Sequence, residues 1–224
     1  MAGSNALAAF ESNCDDVERL LEIHGRMGGS GPGRRHRLEV LNKSAIVLLT
    51  AFWEAYCEDV AAEGLEHVVN GARTWAALPK ELQKRVAADL KADKHELAVW
   101  RLADAGWRGY LRGRLTDLQE ERNWAVNTPK ADNIDVLFLR AIGLKSISES
   151  WHWGGQRSEG ARRKLDRFVE LRGAVAHRGG AATSVIKNEV TDYYGLLERL
   201  VEKTDEAVRA FVEKSTGSSP WTLS

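Results

Sequence analysis

Arg172 and His177 stand five residues apart near the C-terminal third of the chain, and their side chains suit chemistry on a phosphate. A guanidinium is permanently charged and presents forked donors to anionic oxygens. An imidazole titrates near pH ~6.5, so it can take or give a proton at neutral pH. Leu165, Phe168, Val169 and Val175 recur at spacings of three and four, marking the core-facing side of a helix from about Ser158 to Ala176. Arg172 lies on that same side, where a charge is costly unless paired. It needs a carboxylate, an aromatic face or a phosphate. A structural ion pair and an anion site at the mouth of a cleft both meet that need. His177 lies about 140° further round an ideal helix. The two residues therefore share a face only if the helix ends or bends near Ala176, where Gly179-Gly180 follows. A histidine in a last turn also simply complements the helix dipole.

Two further residues attach to this pair. Arg178 adds a second cation after His177, as a phosphate contact or as an exposed terminal arginine. Glu54 sits beside Trp53 in the most apolar stretch of the chain, where a carboxylate wants a partner. It could pair with Arg172, orient His177, or border a groove along Val47, Thr50, Glu54 and Cys57.

The elements that must hold these residues are helices. The chain has 224 residues, 43% of them hydrophobic, with four prolines and no long alternating β-branched run. Ser4 or Asn5 caps a first helix with the stripe Leu7, Phe10, Cys14, Val17, Leu21 and His24. Gly28 to Gly33 breaks it. A long second helix spans about Arg35 to Val69, apolar nearly all round from Ala45 to Trp53, which marks the central buried element. Pro79 starts a third helix, with breaks expected near Asp93 and Gly106. Asn127-Thr128-Pro129 forms a turn before a short helix from Asn133 to Ala141. The last helix covers about Thr191 to Lys214, striped by Tyr194, Leu197, Val201, Val208, Phe211 and Val212. The expectation is one all-α domain over residues 1–214 and a flexible tail over 215–224.

Charge and composition narrow the function classes. The formal net charge is zero, yet Arg157 to Arg178 holds seven Lys/Arg against three Asp/Glu, and Glu189 to Glu213 reverses that ratio. A basic helix is thus followed by an acidic one. Cys14 and Cys57 are too few for a disulfide framework or a zinc site and suit a reducing compartment. No signal peptide or long apolar run is present, so the chain is expected to be cytoplasmic and without a membrane span. His95-Glu96 opens like a metalloprotease helix, but Val99 occupies the second ligand position. No metal site and no cofactor are expected. Arg108, Arg112, Arg114 and Arg122, interleaved with Trp107, Tyr110 and Trp124, suit either RNA stacking or amphipathic packing.

Leu171-Arg172-Gly173-Ala174-Val175-Ala176-His177 resembles the Arg, four-to-six residues, His motif of the HEPN superfamily of helical ribonucleases. Leu41 to Leu49, then Ala51 to Tyr56, resembles the central helix of its RiboL-PSP-like branch, as do Asn127-Thr128-Pro129, Asn133-Ile134-Asp135 and Leu137-Phe138. The resemblance covers most of the chain. It implies a helical bundle with a long central helix, further helices inserted between the second and penultimate long helices, and the motif on the penultimate one. It also implies a metal-independent endoribonuclease acting on RNA. The site would be composite, built from two Arg172/His177 motifs in a homodimer, in a toxin–antitoxin, phage-defence or RNA-repair setting with a possible antitoxin partner. Two departures stand out. Gly173 replaces the polar residue common after the motif arginine, and Gly179 replaces a tyrosine that some toxins of the superfamily carry as a modification site. A non-catalytic RNA-binding or dimerisation module of the same fold, and a helical interaction partner without RNA, remain the competing readings.

Overall fold

The computed structural model describes residues 3–28, 38–125, 128–178 and 184–221, with the side chains of 28, 115, 117–125, 177 and 178 outside the described part. Among the described residues the regular structure is helical, apart from a single bridge between Trp153 and Gln156.

The first helix, α1 (Asn5–Gly28), begins where Ser4 Oγ accepts the Leu7 N–H at 3.0 Å. The Glu63 carboxylate accepts the Asn5 and Ala6 N–H groups at 3.1 and 2.8 Å, a negative charge placed on the positive end of the helix. Phe10, Cys14 and Val17 are buried, as the stripe requires.

At the centre lies α2 (Glu39–Gly71), with Ala45, Ile46, Leu49, Trp53, Tyr56, Cys57, Val60, Leu65, Val68 and Val69 buried along it. Trp53 stacks on Tyr56, meets Trp151 edge-on at 5.7 Å, and donates its indole N–H to the Pro129 carbonyl at 3.2 Å. The final helix, α7 (Lys187–Thr216), runs parallel to α2. Asn42 bonds the Val185 carbonyl, Thr50 meets Tyr193, Tyr56 bonds the Val201 carbonyl, and Gly64 faces Val208. The sequence offset within these pairs is nearly constant, which only parallel helices allow. α1 runs antiparallel to both, with Phe10 against Tyr56 and Ser4 bonded to Asp205.

The penultimate helix, α6 (Ser158–Arg178), runs antiparallel to α7: Trp151, shortly before it, bonds Thr204, and Phe168 stacks on Tyr193. Between α2 and α6 come α3 (Lys80–Ala92), α4 (Gly106–Ala125) and α5 (Ala131–Ala141), joined partly by 3-10 turns at Trp75–Ala77, Ala98–Leu102 and Ile147–Ser150. α3 starts directly after Pro79, and the expected breaks near Asp93 and Gly106 are both present. Asp166 on α6 accepts the Ala131 N–H at 2.9 Å at the start of α5, and Arg162 on α6 spans Asp132 and Asp135.

Two boundaries differ from expectation. α7 begins at Lys187 rather than Thr191, because Glu189 accepts the Ile186 N–H at 3.1 Å and holds the first turn. α7 ends at Thr216, two residues beyond the expected Lys214. Gly217 (φ +78°) turns the chain, and Trp221 is buried. The Gly28–Gly33 stretch lies outside the described residues apart from Gly28, the last residue of α1.

Trp53→Ala is expected to cost about 3–5 kcal/mol, through the cavity and the orphaned Pro129 carbonyl. The exposed Trp100→Ala should change stability by less than about 0.5 kcal/mol. Denaturant midpoints of the two variants check the contrast. Asp205 supplies a pH test. Burial raises its pKa, offset in part by two donors from Ser4, and burial also raises Glu63. Such carboxyls bind more protons folded than unfolded, so stability falls as pH rises from about 4 through the raised native values. Asp205→Asn removes one of them. The stability of the wild type relative to Asp205→Asn should decline across that window, and parallel pH curves would contradict the assignment.

Candidate functional site

The core-facing side of α6 is built by Ala161, Leu165, Phe168 and Val169, all buried. Arg172 follows Leu165, Phe168 and Val169 at spacings of seven, four and three, so it continues the centre of that stripe and is half-buried. Tyr193 of α7 lies within electrostatic reach of Arg172. The Tyr193 ring stacks on Phe168 with centroids 4.4 Å apart and planes 15° from parallel. Burial pushes its phenol well above the ordinary value, while the bond to Thr50 and the positive charge of Arg172 pull it back.

Thr50 settles the direction of that bond. Its hydroxyl donates to the Ile46 carbonyl at 2.8 Å, so across the 3.1 Å contact the Tyr193 hydroxyl donates to Thr50. A polar link therefore joins α2 to α7 across the core. Glu54 is half-buried on α2, three residues before Cys57. Burial, then Glu58 and Glu54, push the Cys57 thiol well above its ordinary value, and Cys57 in turn acts on Tyr193. Arg172 and Glu54 are both engaged by other groups.

α6 continues through His177 and ends at Arg178, two residues beyond the expected Ala176. Five residues of helix separate them by about 7.5 Å of rise and about 140° of rotation. The His177 and Arg178 side chains lie outside the described residues. Packing does not demand glycine at Gly173, since a Cβ there would meet nothing within 4 Å. A polar side chain at that position is absent without a steric reason.

Sequence reasoning missed Tyr193. It placed Tyr194 on the core stripe, whereas Tyr193 is fully buried and Tyr194 only partly so. Adjacent tyrosines leave the helical phase ambiguous by one residue, and Leu196 and Leu200, four apart and both buried, were the signal for the true phase. Asn42 was also missed. It is buried and donates to the Val185 carbonyl at 3.0 Å, fixing the start of α7 beside the C-terminal end of α6.

The arginines of α4 serve the scaffold. Arg108 donates to the Val69 and Ala72 carbonyls at 3.3 and 2.7 Å, satisfying the C-terminal end of α2, and lies over the Trp107 ring. Arg112 reaches Glu66 and Asn70, and Arg114 pairs with Asp89. Amphipathic packing accounts for these residues, while the Arg122 and Trp124 side chains lie outside the described residues. His95-Glu96 falls in a turn rather than on a helix. Among the described residues no group of His, Cys, Asp and Glu could hold a metal ion, and no helix is long and apolar enough to cross a membrane.

The sequence profile of the RiboL-PSP-HEPN family matches residues 9–210, from the second turn of α1 to the last third of α7. No curated protein and no solved structure gives a significant match. With an all-helical bundle, a long buried α2 and the Arg172–His177 segment on the penultimate long helix inside that match, the chain belongs to the RiboL-PSP-HEPN family.

Proposed function

We propose that this protein is an endoribonuclease that needs no metal and cleaves RNA by attack of a ribose 2′-hydroxyl on the adjacent phosphate. The observation that carries the reading is Arg172, a charge at the centre of a core-facing stripe, between one and two turns from His177 in a chain of the RiboL-PSP-HEPN family. In the reaction the 2′-oxygen forms a bond to phosphorus while its proton passes to a base. The bond to the 5′-oxygen breaks, and an acid protonates that leaving group. The products are a 2′,3′-cyclic phosphate and a 5′-hydroxyl. His177 serves as base from one subunit and as acid from the other. Arg172 donates to the equatorial phosphorane oxygens, where negative charge develops. Arg178 adds a phosphate contact, and Glu54 supports the Arg172 neighbourhood through α2.

The helical spacing supports a homodimer, because five residues on an ideal helix separate Arg172 and His177 by about 140°. The end of the bundle where α1 and α6 finish and α2 and α7 begin carries Ile23, Met27, Val40 and Ile186, all large, apolar and exposed. Exposed apolar side chains gathered at one end of a bundle favour an interface. The proposed setting is cytoplasmic, in toxin–antitoxin, phage-defence or RNA-repair biology, with an antitoxin as the possible controlling partner. The second reading is a non-catalytic RNA-binding or dimerisation module, favoured by Gly173.

Incubation with structured and single-stranded RNA in EDTA tests the activity. The wild type should leave cyclic-phosphate ends. His177→Ala should lower the rate by about 10²–10⁴, and Arg172→Ala by about 10²–10³. Salt-sensitive binding without cleavage would favour the second reading. Sedimentation tests the interface: the wild type should be a dimer, and Met27→Glu with Val40→Glu should shift it to monomer and reduce cleavage at low protein concentration. A monomeric, active wild type would sink the composite site.

A further inference from the structure

A groove of about 520 Å³ runs between α6 and α7 on the flank of the Arg172 stripe. Its floor is Phe168 and Leu196, both buried. Its rim carries Lys164 and Arg167 from α6 and Arg199 from α7, all exposed. Trp153 closes one end, half-buried, with its backbone fixed by reciprocal bonds to Gln156 at 3.0 and 2.8 Å around Gly155 (φ +79°). Lys164 is held at the same place by a 2.7 Å bond to the Gln156 side chain. Gly195 opens the α7 wall, since a Cβ there would meet nothing within 4 Å.

The groove combines what a single nucleotide needs. An indole offers a stacking surface for any base. Three cations offer charge to flanking phosphates. The present partners of two of them are carboxylates at the protein surface, Glu189 at 3.7 Å from Arg167 and Glu202 at 3.0 Å from Arg199, and such surface pairs are weak enough to yield to a phosphate. Asp192, also in the lining, suits a ribose hydroxyl as donor. The volume falls in the range of small-ligand sites, about 300–1,000 Å³. The floor is continuous with the motif: Phe168 stacks on Tyr193, which lies within the field of Arg172. Along α6 the axial rise from Lys164 and Arg167 to Arg172 is about 12 and 7.5 Å.

We infer that the α6–α7 groove is a substrate subsite that holds a single-stranded RNA nucleotide a few positions from the scissile phosphate, with its base on Trp153 and its phosphates on Lys164, Arg167 and Arg199. This rests on RNA being the substrate. It separates binding from chemistry, since the groove residues grip the strand while Arg172 and His177 act on it.

The test measures binding of a short fluorescent single-stranded RNA of mixed sequence to full-length His177→Ala protein across a salt series. Adding Lys164→Ala and Arg199→Ala should weaken binding about tenfold or more and lower the salt slope by about 0.7 for each phosphate no longer neutralised. Trp153→Leu should weaken binding about tenfold with the salt slope unchanged. Arg163→Ala, an exposed cation of α6 outside the groove, should leave affinity and slope as they were. In the otherwise wild-type protein, Lys164→Ala with Arg199→Ala should raise the RNA concentration for half-maximal cleavage more than it lowers the saturated rate. Thermal melts of each variant confirm folding. Unchanged affinity and slope in the groove variants overturn the subsite while leaving the ribonuclease reading intact. Equal losses in Arg163→Ala also overturn it, by showing that only overall charge matters. Absence of RNA binding even at low salt overturns both readings.

Discussion

α2 has little surface to give to solvent. Along most of its length only a narrow strip of Ser44, Ala51, Ala55 and Asp59 is exposed, and the remaining sides carry Ile46, Leu49, Trp53, Tyr56, Val60, Leu65 and Val68. A helix this apolar has to be wrapped, because burial of its side chains is the main favourable term available to the fold. α1 and α7 take its flanks, α6 and α5 pack beside Trp53, and α4 covers its C-terminal end. The order of helices along the chain follows from this demand. α1, α4, α5, α6 and α7 each pack on α2, while α3 is held on α5.

Wrapping α2 also dictates how polar groups are handled. The buried Trp53, Tyr56 and Trp151 each have one polar atom to satisfy, and each finds an acceptor: the Pro129 carbonyl, the Val201 carbonyl and the Thr204 hydroxyl. Helix ends are treated alike. Glu63 serves the start of α1, Asp166 the start of α5, Glu189 the start of α7, and Arg108 the end of α2. Three of these four caps come from another helix, so they bind secondary structure to tertiary structure and make the bundle more cooperative than its loops alone would.

Arg172 is the exception that the scaffold tolerates. It continues the core-facing stripe of α6, half-buried, as a guanidinium within electrostatic reach of Tyr193. Local departures from the packing rule concentrate at functional positions, because structure alone gives no reason to keep them.

Much of this was legible in the sequence. The stripe of α1, the all-round apolar centre of α2, the Pro79 start of α3 and the Leu165–Phe168–Val169–Arg172 face each follow from side-chain period, which is a local property. The anomaly at Arg172 was visible for the same reason. The stripe of α7 was legible in Leu197, Val201, Val208 and Val212, all buried, but the place of Tyr193 was not, because period alone does not separate neighbouring tyrosines and only Tyr193 stacks on Phe168. The end of α6 was legible within two residues: Gly179-Gly180 marks the stop, and the helix ends at Arg178. The fold of the tail onto Trp221, the α6–α7 groove and the parallel run of α2 and α7 join residues far apart in the chain. By itself the sequence determined an all-helical chain built on α2, with a charge out of place on α6. Only the tertiary structure decided what that charge meets and which groove lies beside it, since those depend on how distant helices share one core.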